Sequence, residues 1–318
     1  MLQSLLAVRA FAPSLPFGEE LAAFHVPFDD LVGRRGHESR VSNTAENGGM
    51  LLVIGETGHG KSGLSAHQLS IFDGHLAVRV PVSVPHPAGA TTAQIPGLVL
   101  DGFANALSAS DEAAAARAQY ASLGRRPPPR IPEANIKGLK IAIGDLTRDR
   151  PVLRSEQLDA VHQAAQACRD GEVDPVLVLD DTDKWAGNED RLCAGRSFFD
   201  DAASALVELG LPVVAHGHPR YFDGAGPEYF DAHVEVPRVD GEAVRTILRR
   251  RIDVASAGES TVEETFELDA VNRLVDHYED ERVSIRRVIQ IASEALIEAV
   301  EAGTQRITIG AVENSLLS

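Results

Sequence analysis

The sequence predicts an α/β fold, a mostly parallel sheet flanked by helices, followed by an all-helical C-terminal region. Three observations predict it. Short apolar or β-branched runs at 50–54, 76–84, 175–179 and 211–215 alternate with helix-length segments. A Gly-rich turn leaves the first run and opens a helix. Beyond about residue 236 the strand-like runs stop, and only helical periodicity continues.

Residues 1–49 form a mixed leader, with Leu31-Val32-Gly33-Arg34 near its end and Asn47-Gly48-Gly49 turning the chain into the first strand. Met50–Ile54 is a short apolar run suited to a buried strand, and Gly63–Leu69 reads as the first turns of a helix. The run 76–84 suits a second strand, which Pro81 either interrupts in its middle or assigns to an edge. Residues 91–109 carry Ile95, Leu98, Leu100, Phe103 and Leu107 in a helical pattern, and 111–122 keep a helical composition. Arg125–Pro132 holds too many prolines for regular helix and reads as a loop. A short strand is expected over 138–144, and an amphipathic helix over 155–170 with Leu158, Val161, Ala165 and Cys168 on one face. Pro175–Asp181 is a buried strand ending in two acids. Ser197 is expected to cap a helix running to Leu209, followed by the strand at 211–215. In the C-terminal region Asp240 and Ser284 are N-cap candidates, Gly303 is a stop, and a tail helix is expected after Thr308. The expected units are the leader at 1–49, an α/β core at 50–236 and a helical domain at 237–318.

The chain has 318 residues with a formal net charge of −17, which argues against a sequence-independent grip on nucleic acid over the whole surface. A local basic strip at Arg125, Arg126 and Arg130 stays open. Two cysteines, Cys168 and Cys193, without metal-type spacing suit a reducing compartment. No run approaches the length of a membrane-spanning helix, and the apolar N-terminus lacks the basic segment of a secretion signal. A cytoplasmic protein with no membrane partner is expected.

The chemistry concentrates at 55–63. Gly55, Gly60, Lys61 and Ser62 match G-x-x-x-x-G-K-S, the phosphate-binding loop of nucleoside triphosphatases. Its glycines let successive N–H groups point inward at phosphate oxygens. The backbone from Gly55 through Glu56, Thr57, Gly58, His59 and Gly60 to Gly63 is therefore expected to bind the nucleotide. Lys61 reaches the β- and γ-phosphates, Ser62 offers its hydroxyl to Mg²⁺, and the helix that follows presents its positive end. His59 lies within the loop, and its side chain is expected to face solvent.

Asp180 and Asp181 end the strand at 175–179, the arrangement that completes such a site. Asp180 is expected to hold Mg²⁺ and Asp181 to orient the attacking water, with Asp183 close enough to share either role. His216 follows the next strand, which should lie beside the acidic one, and is expected to sense phosphate or water. Arg286 and Arg287 sit in the first turn of a helix, where a cation is mildly unfavourable unless an anion compensates. A nucleoside triphosphate and Mg²⁺ are the expected ligands.

These motifs resemble the AAA+ superfamily, in particular its origin-recognition and STAND-type branches. Leu31–Arg34 is similar to the segment that packs on adenine there, which implies an adenine contact for Val32 and an adenine-side linker in the leader. Gly55–Ser62 matches Walker A and Leu177–Asp181 matches Walker B, although AAA+ enzymes usually carry Glu where this chain has Asp181. Val213–His216 falls where sensor 1 belongs, Glu235–Arg238 before a helical lid, and Ser284–Arg287 where sensor 2 belongs, with Arg286 the better match. The resemblance implies ATP bound between core and lid, a lid arginine on the γ-phosphate, and a homo-oligomer in which Arg191, Arg196 or Arg220 acts in trans. It implies an ATPase that switches assembly, or binding to DNA or a protein partner. Two other readings remain at this stage, a small-molecule P-loop kinase and a nucleotide-binding scaffold with little turnover. A GTPase is disfavoured, because no Asn/Thr-Lys-x-Asp motif occurs.

Overall fold

Among the described residues, five parallel strands form the sheet, in the order β2-β3-β4-β1-β5. They are β1 (Met50–Ile54), β2 (His75–Pro81), β3 (Asp174–Asp180), β4 (Val213–Gly217) and β5 (Ala232–Glu235). The computed structural model describes residues 1–33, 36–71, 74–82, 94–106, 153–186, 189–222 and 229–317. The expected helix at 111–122, the Arg125–Pro132 loop with its basic strip, and the strand at 138–144 lie outside the described residues.

Strand β1 is buried on both faces. Leu51 and Val53 join one apolar cluster, while Met50, Leu52 and Ile54 join the other. Leu51, Leu52 and Val53 are fully buried, each contributing roughly 1.5–3 kcal/mol of transfer free energy. This two-sided burial is why the run reads as continuous rather than alternating. Pro81 ends the edge strand β2, where its missing N–H leaves no ladder bond unmade. The acidic strand β3 pairs with β4 as the sequence implies, with Leu177 opposite Val213. Strand β5 escaped the sequence reading because it is four residues long and buries Val234 alone.

The helices in chain order are α1 (Leu2–Ala7), α2 (Glu19–Ala23), α3 (Phe28–Val32), α4 (His37–Asn47), α5 (Lys61–Ile71), α6 (residues 94–106), α7 (Arg154–Asp170) and α8 (Glu189–Leu209). The C-terminal region follows with α9 (Gly241–Ser256), α10 (Val262–Thr265), α11 (Leu268–Asp280), α12 (Ile285–Glu301) and α13 (Ile309–Leu317). Helix α8 corrects one expectation: Ser197 lies inside it rather than capping it. Gly195 within this helix admits a close neighbour, since a Cβ there would lie 2.6 Å from Tyr221 Cε1.

In the helical region the expected caps form. Asp240 accepts from the Ala243 N–H at 2.9 Å and Ser284 from the Arg287 N–H at 3.2 Å. One apolar cluster runs from β1, β3 and α5 into α9, α11, α12 and α13, so core and lid share a continuous interior. The first residues of the leader pack on the lid rather than on the sheet. Leu2 and Leu5 join the same cluster, Phe11 meets Phe266 edge-on at 5.6 Å, and Arg251 of α9 donates to the Ala10 and Ala12 carbonyls. At the junction into the lid, Arg238 lies 4.2 Å from the Tyr278 ring centroid and donates to the Tyr278, Arg282 and Val283 carbonyls.

Candidate nucleotide site

The loop between β1 and α5 faces a cavity of about 550 Å³ between the sheet edge and the lid. Gly58 and Gly60 have φ of +79° and +100°, the left-handed region that glycine enters without strain. Their turns bring Lys61 back across the loop. Its Nζ donates to the Gly55 and Glu56 carbonyls at 2.7 and 2.9 Å and to Asp183 Oδ2 at 2.9 Å. Burial lowers the ammonium's pKa, and Asp183 works against that shift. Burial would raise Asp183 in turn, but the Lys61 charge and hydrogen bond outweigh it and hold the carboxyl low.

The same two turns overturn the expectation for His59. Its side chain is buried and lines the cavity, with Nε2 3.8 Å from Glu56 Oε2. Two left-handed glycines flank it. Burial accordingly lowers its pKa.

Asp180 is the hub of the acidic side. Its Oδ1 accepts from Ser62 Oγ at 2.8 Å and from His216 Nδ1 at 2.9 Å, and Oδ2 accepts from Arg79 Nε at 2.8 Å. Burial pushes this carboxyl upward, but His216, then Arg79 and Ser62, hold it well below the usual carboxylate range. His216 is itself buried, with Nε2 2.8 Å from Ser65 Oγ. It braces Asp180 from behind and does not line the cavity. Asp181 has φ of +67° and bonds Arg79 Nη2 and Lys184 Nζ, each at 3.0 Å. The turn after it is held by the Thr182 hydroxyl on the His216 carbonyl and by Tyr221 Oη, which donates to the Thr182 carbonyl at 2.7 Å.

The lid closes the third side. The Arg286 N–H donates to the Gly58 carbonyl at 3.2 Å, and Arg286 lines the cavity. A Cβ on Gly58 would lie 2.8 Å from Ser284 Oγ and 2.9 Å from Arg286 Cβ, so the glycine permits the lid to rest on the loop. Much of the remaining wall is apolar, with Leu15, Phe17, Phe24 and Phe28 from the leader and Val239, Ile247 and Ile289 from the C-terminal region. Of the Leu31–Arg34 segment, Leu31 lines this wall, Val32 packs against the apolar cluster, and Arg34 lies outside the described residues.

No family model and no curated protein matches the sequence. Solved structures do match the fold. The Aeropyrum pernix ORC1 protein, determined in complex with DNA, superposes with a TM-score of 0.54 at 15% identity over 92% of this chain. The A. pernix ORC2 protein in its ADP form gives 0.56 at 13% identity over 98%, and its ADPNP–ADP complexes give 0.55 at 14% over 96%. The chain has the fold of these ORC proteins. It spans 65% of the length of the ORC1 chain and 70–72% of the ORC2 chains.

Within this fold, Lys61, Ser62, Asp180, Asp181 and Arg286 all line one cavity, together with Gly58, His59, Gly60 and Gly63. Gly55, Glu56 and Thr57 lie behind it: Gly55 and Glu56 hold Lys61 through their carbonyls, and Thr57 Oγ1 donates to the Asp183 carbonyl at 3.4 Å. Arg196 donates to the Arg220 carbonyl, and Arg220 pairs with Glu189 and the Ala186 carbonyl. The sequence reading missed Arg79 and the cavity wall from 9–31. A lone cation in the apolar strand Leu76–Val80 was the available signal for the first.

Proposed function

We propose that this protein is an ATP-binding and ATP-hydrolysing AAA+ switch, whose nucleotide state controls self-assembly or binding to DNA or a protein partner. The observation that carries the reading is the convergence of Lys61, Ser62, Asp180, Asp183 and the lid's Arg286 on one cavity. The apolar wall from the leader suits a nucleobase, and the glycine loop suits the phosphates.

The residues also fit a divalent cation. Ser62 Oγ already touches Asp180 Oδ1, so hydroxyl and carboxylate are adjacent. Ser62 and Asp180 would hold Mg²⁺, which would supply charge neutralisation to the phosphates. Lys61 transfers its donors from Asp183 to phosphate oxygens, which releases the Asp183 carboxylate beside the γ-phosphate. We therefore assign water orientation to Asp183, and to Asp181 the anchoring of Arg79 and Lys184. His216 fixes the direction of Asp180, a positioning role. Arg286 binds the γ-phosphate and links its presence to the lid.

The A. pernix ORC1 protein was determined with DNA, which supports DNA as one partner class for this fold. The net charge of −17 supports a protein partner equally. Light scattering with ADP, with ATP and with ATP on Lys61→Ala, alongside phosphate release, tests the reading. Growth in mass with ATP alone, absent in the variant, is expected. A mass unchanged by ATP that is nevertheless bound sinks the assembly mechanism.

A further inference from the structure

Asp180 carries three donors before any metal arrives. Ser62 and His216 occupy Oδ1, and the Arg79 guanidinium occupies Oδ2 while its other arm holds Asp181. Arg79 reaches there because β2 and β3 are in register. It lies opposite Val178, with Pro81 opposite Asp180, and strand alternation puts Ala77, Arg79, Val178 and Asp180 on one face. Lys61 and Lys184 neutralise Asp183 and Asp181, so three cations match three carboxylates across the cavity floor.

We propose that Arg79 stands in for the divalent cation at the Asp180–Asp181 pair, and must release Asp180 before metal-bearing nucleotide seats, so that Arg79 sets the Mg²⁺ dependence of nucleotide binding. This rests on the nucleotide reading above. A carboxylate neutralised by a guanidinium at 2.8 Å gains little from a second cation, and two cations on one carboxylate repel each other. One donor has to leave, and the three differ in freedom. The His216 side chain is 1% exposed and locked by Ser65, and Ser62 stays beside the metal as its own ligand. The Arg79 side chain is 34% exposed, sits on an edge strand and already lines the cavity. Arg79 therefore yields, swinging toward the phosphates.

The test is titration of a fluorescent ATP analogue into the full chain, in EDTA and over a series of Mg²⁺ concentrations. Wild type, Arg79→Gln, Asp181→Asn and Lys61→Ala are compared. For Arg79→Gln the Mg²⁺ concentration giving half the gain in affinity should fall about tenfold, the scale of one partly screened charge-assisted hydrogen bond. Metal-free affinity should not improve. Asp181→Asn loosens the second arm without touching Asp180, and should move the midpoint the same way by a smaller factor. It carries the test if Arg79→Gln does not melt cooperatively. An unchanged midpoint in a folded variant, or a rise in the Mg²⁺ requirement, overturns the inference. If wild type binds with loss in Lys61→Ala but the midpoints coincide, this inference alone falls. If wild type binds no nucleotide at any Mg²⁺ level, the nucleotide reading falls and takes this inference with it.

Discussion

The phosphate loop and the acidic turn face each other across one cavity and are built in opposite ways. The loop, Gly55–Ser62, is made of backbone. Its shape follows from two left-handed glycines, and its lysine is tied to carbonyls five and six residues away. The acidic turn, Asp180–Asp183, is made of side chains whose partners come from β2, β4 and α5. Removing one member of the loop therefore acts through local geometry. Removing one member of the acidic network redistributes charge among the rest.

The largest expected effect breaks the loop without touching a charge. Gly58→Val forces a Cβ into Ser284 and Arg286 at a left-handed φ, strain of roughly 1–2 kcal/mol before any clash. It should cut nucleotide affinity about a hundredfold or more by lifting the lid and distorting the amide cradle, as calorimetry would measure. The analogous break on the acidic side distinguishes its two distal acids. Asp183→Asn should lower phosphate release about tenfold to a hundredfold, the scale of one general base, while Asp181→Asn lowers it far less. Equal losses would return the water-orienting role to Asp181.

A smaller effect links the two regions through pH. Asp183 has a folded pKa below its unfolded value, so it contributes stability that is present above the ordinary carboxylate range of about 4 and is lost as pH falls through the folded value. Lys61 is the partner that holds it down. In Lys61→Ala the acid limb of nucleotide-free stability should be shallower than in wild type, as denaturant midpoints from pH 6 to pH 2 would record (an order-of-magnitude window). A parallel limb would mean that Lys61 and Asp183 are not paired in solution. The smallest effects are in the lid. Asp240→Ala should cost about 1 kcal/mol of stability and leave nucleotide affinity alone. Ser284→Ala should cost about as much and also weaken binding, because that cap adjoins Gly58.

The same contrast explains what the sequence made legible. The P-loop, its strand, the Walker B strand and the lid caps are local patterns, readable because each residue's partner lies within a few positions. His216 beside Asp180 was reachable through strand order. Arg79 meets Asp180 across 101 positions, and only the β2–β3 register reveals it. Phe11 against Phe266 and Arg251 against Ala10 join the two ends of the chain, so no pattern within the leader signals that it completes the lid. His59 was misplaced because the turn at Gly58 and Gly60 decides its direction, not its polarity. Strand β5 is too short to carry an alternation.

The most direct measurement is equilibrium binding of ATP to wild type and Lys61→Ala, with thermal melts to establish that both are folded. The account predicts saturable binding by wild type and a loss of about a hundredfold or more in the variant, since the lysine is the loop's one buried charge toward phosphate. A folded wild type that binds no nucleotide, or a Lys61→Ala protein that binds as tightly, would contradict it.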